Sequence, residues 1–168
     1  MATIDIEDIP NQWDAIMAKR PEVATAWRRL ESTLHTGASS TLPLELKENA
    51  RIALSEHVGC RFCSSFGVLK TEGLTRPEQL AIDFARKIAT DHRSIDQATF
   101  DELKEEFSDE QILELTAWLC FKLGANVLGA ITQLTPAPDT LRAEYDGVVT
   151  FMLGQERERN ERKTSAAV

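Results

Sequence analysis

Cysteine and strand-like alternation of polar and apolar residues are scarce in this chain, and positive charge is in deficit. Three cysteines in 168 residues are too few for a disulfide-stapled scaffold, and the odd count fits a reducing compartment. Nineteen Lys and Arg against 27 Asp and Glu leave a formal charge of -8 and a pI near 4.9. Such a surface repels phosphate backbones and anionic lipid, so neither a nucleic-acid nor a membrane partner is expected. There is no glycine-rich phosphate loop, no G-x-S-x-G and no H-E-x-x-H, so nucleotide-dependent, serine-hydrolase and zinc-protease chemistry lack support and no cofactor or metal is expected. The opening stretch MATIDIEDIP is acidic without an apolar run, which is unlike a secretory signal or an Arg-rich transit peptide, and a cytoplasmic location is expected.

What is present reads as all-α. With 42% hydrophobic residues, a chain of this length buries roughly 70% of its unfolded surface in one domain. Ala24, Trp27, Leu30 and Leu34 recur at helical spacing from Val23, with Gly37 as a stop signal. Pro43 opens a second helix through Leu46, Ala50, Ala53 and Leu54 that ends near Gly59. Thr75 with Glu78, Ser94 with Gln97, and Ser108 with Gln111 each form the T/S-x-x-E/Q capping pattern. The last of these starts LTAWLCFKLGANVLGAITQL, a stretch with one charge, Lys122, and apolar residues nearly all round. A buried helix fits it better than a membrane span, because a charge in hydrocarbon costs at least ~2.5 kcal/mol. Covering it requires other helices or a second subunit. Asp139 is a candidate cap for a final helix with Leu141, Tyr145, Val148 and Met152. The expected organisation is one helical domain over 1–155 and a charged, frayed tail over 156–168.

The sharpest chemical signal is Cys60-Arg61-Phe62-Cys63, directly after Gly59 and ahead of an expected helix. Thiols three apart at a helix N-terminus are close to bonding distance, and the free N–H groups there favour a thiolate. A redox-active dithiol, half of a zinc site and a pair of inert buried thiols all remain open from the residues alone. Cys120, among Trp118, Leu119 and Phe121, reads as a packing thiol. Trp13, Trp27 and Trp118 read as core or interface anchors. His35 and His92 carry no assignable role.

The run Leu42-Pro-Leu-Glu-Leu-Lys-Glu48, then Arg51-Ile-Ala-Leu, then His57-Val-Gly-Cys60-Arg-Phe-Cys63 resembles the signature of the carboxymuconolactone decarboxylase and alkylhydroperoxidase D-like family. There a Glu stands twelve residues before the first Cys, as Glu48 does before Cys60. The likeness continues through LTRPEQLAIDFARKIA and FSDEQILELTAWLCFKLGANVLGAI and covers about 40–134. It implies an alkylhydroperoxidase D-like helical bundle, a homo-oligomer, and thiol-dependent reduction of a small-molecule hydroperoxide at the expense of an external dithiol reductant. By the same resemblance Cys63 is the peroxidatic thiol, Cys60 the resolving thiol and Glu48 the relay carboxylate. Phe62 and Gly67 stand where the family's peroxidases carry relay histidines, and His57, three residues before Cys60, is either the candidate replacement or a histidine at a helix C-terminus interacting with exposed carbonyls. The alternatives are a non-catalytic or decarboxylase-type member, or an oligomeric binding or stress-response protein.

Overall fold

The structure is a computed structural model that describes residues 4, 9–36 and 40–166. Among the described residues seven α-helices follow one another, α1 Gln12–Met17, α2 Pro21–Thr36, α3 Leu44–Val58, α4 Arg76–Asp91, α5 Gln97–Lys104, α6 Asp109–Ile131 and α7 Asp139–Ala166, and there is no strand. The stop signal read at Gly37 and most of the opening decapeptide lie outside those residues.

Local chemistry sets most boundaries. The capping boxes at Thr75/Glu78 and Ser108/Gln111 are both closed, side chain to backbone in each direction, which satisfies two orphan N–H groups per helix start. The third expected cap is corrected. Asp96, not Ser94, caps α5, accepting from the Thr99 amide at 3.0 Å, while the Ser94 hydroxyl donates to Asp91 O at 2.7 Å in the short 3-10 turn before it. Asp139 begins the final helix from inside, pairing with Arg142 one turn on. The charged stretch after Gln155 continues α7 to Ala166, and within it the Glu156 carboxylate accepts from the Leu44 amide, 3.2 Å to each oxygen, at the start of α3.

Helix α3 lies at the centre. Its apolar residues, Leu46, Ala50, Ala53 and Leu54, pack against Leu80, Phe84 and Ile88 of α4 and against Leu115, Trp118 and Leu119 of α6. It is enclosed on nearly all sides, so Lys47, Glu48, Asn49 and Arg51 are buried too, and burial of such groups requires partners. Lys47 Nζ donates to Leu34 O, Ser40 Oγ and Glu114 Oε1 at 2.8–2.9 Å. Asn49 Oδ1 accepts from the Lys70 amide at 2.9 Å. Trp118 Nε1 donates to Lys47 O at 3.0 Å, tying α6 to α3. Although α6 is long and apolar enough to cross a membrane, half of its most apolar window is buried within the fold. Cys120 departs from the expectation: it is exposed, because the buried stripe of α6 runs through Leu115, Trp118, Leu119, Lys122 and Asn126 and position 120 turns away from it.

Candidate active site

Helix α3 stops where Gly59 takes a left-handed conformation, φ 83°, which glycine adopts without the penalty of a Cβ. The chain reverses there and places Cys60 fully buried and Cys63 half-buried. The two are joined as a disulfide, with Cα atoms 5.3 Å apart, within the usual span. Cys60 Sγ also accepts from the Cys63 amide at 3.1 Å. The motif does not open an α-helix as expected. Only a three-residue 3-10 turn, Cys63–Ser65, follows, and one turn supplies a smaller dipole than a full helix. Helix α6 closes over the pair at Gly129, where a Cβ would run into Cys60 Sγ and lie 3.3 Å from Cys63 Sγ.

Glu48 is buried within a polar cluster. Its Oε2 accepts from Arg51 Nε and Nη2 at 3.1 and 2.9 Å and from the Tyr145 hydroxyl at 2.8 Å. Its Oε1 lies 2.9 Å from His35 Nε2, and neither atom has another partner among the described residues. Burial pushes the Glu48 carboxyl upward. The Arg51 charge together with the His35 contact overcomes that and holds it well below the usual carboxylate range. Burial also raises the Tyr145 phenol, with the Glu48 charge adding to the effect against Arg51. The His35 ring stacks on Trp118 at 4.8 Å, nearly parallel. Arg51 Nη2 donates onward to Phe66 O at 3.0 Å.

The sequence-derived candidates therefore separate. Cys63 lines a cavity of about 360 Å³, Cys60 is shielded behind it, and Glu48 reaches the same cavity through Arg51 and Tyr145, which are in its wall. His57 does not join them. It is exposed, and its Nδ1 lies 3.0 Å from Ala53 O one turn back along α3. At position 67 the chain has φ 78°, and a Cβ there would meet Ile52 Cδ1 at 2.8 Å, so a histidine has no easy place. His35 and Tyr145 were not legible as site residues, since each meets Glu48 only through tertiary packing. Trp13 and Trp27, read as anchors, pack against the two hydrophobic clusters and also wall the cavity, with ring centroids 5.8 Å apart, together with Phe62 and Phe66. Lys122, Glu31, Asn126, Asn11 and Glu144 complete its polar part. Among the described residues no group of three or more His, Cys, Asp or Glu is placed to hold a metal ion.

No protein-family model matches the chain, and no curated protein matches it. Among solved structures it is similar to the debrominase Bmp8. A cysteine-to-alanine variant of that protein in complex with 2,3,4-tribromopyrrole gives a TM-score of 0.63 at 23% identity, covering 79% of each chain. The apo form of Bmp8 gives 0.63 at 24%, covering 77% of this chain and 78% of that one. The architecture is thus an all-α, alkylhydroperoxidase D-like helical fold.

Proposed function

We propose that this protein is a thiol-dependent oxidoreductase whose Cys60–Cys63 pair reduces small organic hydroperoxides. The observation that carries the reading is the asymmetry of the pair, one sulfur enclosed under Gly129 and the other in a cavity wall. In the reduced enzyme the Cys63 thiolate attacks the distal peroxide oxygen, the O–O bond breaks, and the alkoxide leaves and takes a proton to become the alcohol. Cys63 is then a sulfenic acid. The Cys60 thiol condenses with it, releasing water and giving the disulfide, which two electrons from an external dithiol restore to thiols. Arg51, in the wall of the same cavity, supplies a fixed cation for the negative charge on the thiolate and the leaving oxygen. Glu48, kept ionised by Arg51 and His35, acts as a positioning residue for Arg51 and Tyr145 rather than as a proton donor.

Cumene hydroperoxide consumption with dithiothreitol as reductant tests the proposal. Cys63→Ser should abolish turnover. Cys60→Ser, oxidised with one equivalent of hydroperoxide in the absence of dithiothreitol, should hold a sulfenic acid at Cys63 that a dimedone tag captures. Undiminished turnover in Cys63→Ser overturns the assignment.

A second reading is favoured by the aromatic cavity and by the debrominase likeness: reductive removal of a ring halogen. The Cys63 thiolate would take the halogen as a sulfenyl halide, the ring carbon a proton, and Cys60 would displace halide to form the same disulfide. Bromide release from a bromopyrrole under the same reductant separates the two. A homo-oligomer belongs to the proposal as well, since Leu113, Val127 and Phe151 leave 69%, 43% and 65% of their surfaces exposed. Light scattering should give a mass above 18.8 kDa.

A further inference from the structure

Two cations sit inside the apolar cavity with donors left over. Arg51 and Lys122 are 4% and 9% exposed, and both line the space beside Cys63. Arg51 commits Nε and Nη2 to Glu48 and Phe66 O, and among the described residues no hydrogen bond engages Nη1. Among the same residues Lys122 Nζ donates to Glu31 alone, which leaves two N–H bonds, and it stands 4.5 Å over the Trp118 ring and 5.7 Å from that of Phe121. Donors with water largely stripped away gain most from an ionised acceptor. The walls around them are rings in two contiguous groups, Trp13 with Trp27 and Phe62 with Phe66 and Tyr145. Of the two carboxylates in the lining, Glu31 is engaged by Lys122, and Glu144 is exposed, where water screens it.

The geometry points to an aromatic acid as the ligand class of this cavity: one or two fused rings against the aromatic walls, with a carboxylate or phenolate oxygen on Arg51 Nη1 and Lys122 Nζ. A volume of about 360 Å³ is at the small end of ligand pockets, which suits a mono- or bicyclic ring and excludes larger ones. The inference deepens the proposed oxidoreductase reading, since it names the kind of substrate the Cys63 cavity takes.

The test uses full-length Cys63→Ser protein, so that binding is read without thiol chemistry, and follows quenching of Trp13 and Trp27 fluorescence. Benzoate should quench saturably, and its uncharged isostere benzamide should bind about tenfold more weakly or worse, the factor expected for losing a charge-assisted hydrogen bond. Adding Lys122→Met should weaken benzoate several-fold, with Arg51 holding the remainder of the preference over benzamide. Adding Glu31→Gln should tighten benzoate several-fold by freeing Lys122, a gain that a purely structural role for the pair would not produce. Equal affinity for benzoate and benzamide, or weaker benzoate binding in a folded Glu31→Gln protein, overturns the inference. If benzoate fails to bind while hydroperoxide turnover depends on Cys63, the ligand class falls and the oxidoreductase stands. If benzoate binds and the parent protein turns over no hydroperoxide, the ligand class stands and the oxidoreductase falls.

Discussion

Replacing Glu48 by glutamine keeps the shape of the side chain and removes only its charge. Arg51 would then be a guanidinium 4% exposed with its counter-ion gone, and Tyr145 and His35 would share one amide oxygen where two carboxylate oxygens now serve them. Removing one partner of a buried ion pair costs about 3–5 kcal/mol, mostly as the penalty of leaving the other charge uncompensated. In a chain of this length each kcal/mol lowers Tm by about 2–4 °C, so Glu48→Gln should melt on the order of 10 °C below the parent. Thermal unfolding followed by circular dichroism reads this directly. The decisive control is Glu48→Gln combined with Arg51→Met, which removes the stranded cation and should recover most of the loss, leaving a large coupling energy in the double-mutant cycle. A single variant within about 2 °C of the parent, or a double variant as unstable as the sum of the singles, would refute the role of Glu48 as the counter-ion that makes Arg51 tolerable in the interior.

Gly129→Ala should displace the cysteine pair, because the new methyl occupies the place of Cys60 Sγ; non-reducing peptide mass spectrometry should show slower recovery of the disulfide after reduction, and normal recovery would contradict the packing. Cys120 should be alkylated without denaturant, giving one labelled thiol per chain in the oxidised protein and three in the reduced, unfolded one. Acid should weaken the fold through two carboxylates. Burial raises Glu114, but hydrogen bonds from Ser40, the Thr41 amide and Lys47 outweigh it and bring it from 4.5 down to about 2, and Glu48 is depressed as well. Both folded values lie below the unfolded ones, so their stabilisation is complete above pH 4.5 and drains away as pH falls toward about 2. Tm should therefore decline steadily below pH 4.5, and a flat profile down to pH 3 would exclude this linkage.

The parts of the fold that the sequence discloses are those decided within one turn of helix. Thr75/Glu78 and Ser108/Gln111 are local reciprocal bonds, and both form. Ser94 failed as a cap because Asp96, two residues later, offers a carboxylate that takes both the Thr99 amide and its hydroxyl, and pattern alone does not rank the two. Cys120 shows the limit of reading apolar neighbours as burial, since one step along a helix turns a residue by about 100°. In the site, Cys60 and Cys63 are legible from spacing. His35 is not, because it belongs to a different helix from Glu48, and the packing of α2 against α3 and α6 is what brings the two together. The single tyrosine, Tyr145, arrives from the other end of the chain and carries no motif around it.

Helix α2 has an unusual allegiance. Its buried residues are only Ala24 and His35, and the half-buried Trp27 and Glu31 lie between them on the same stripe, at the three- and four-residue steps that keep side chains on one face. Trp27 and Glu31 face the cavity, and His35 faces Glu48. The helix is therefore fastened to the protein in good part by the side chains that furnish the site, beside the contacts of Trp27 and Leu34 with the main core. Whatever fills the cavity would also tighten the hold on α2. Occupancy and local stability are two readings of one set of contacts, and amide protection along Pro21–Thr36 should rise with ligand while that of α3 and α4, anchored in the core, stays where it was.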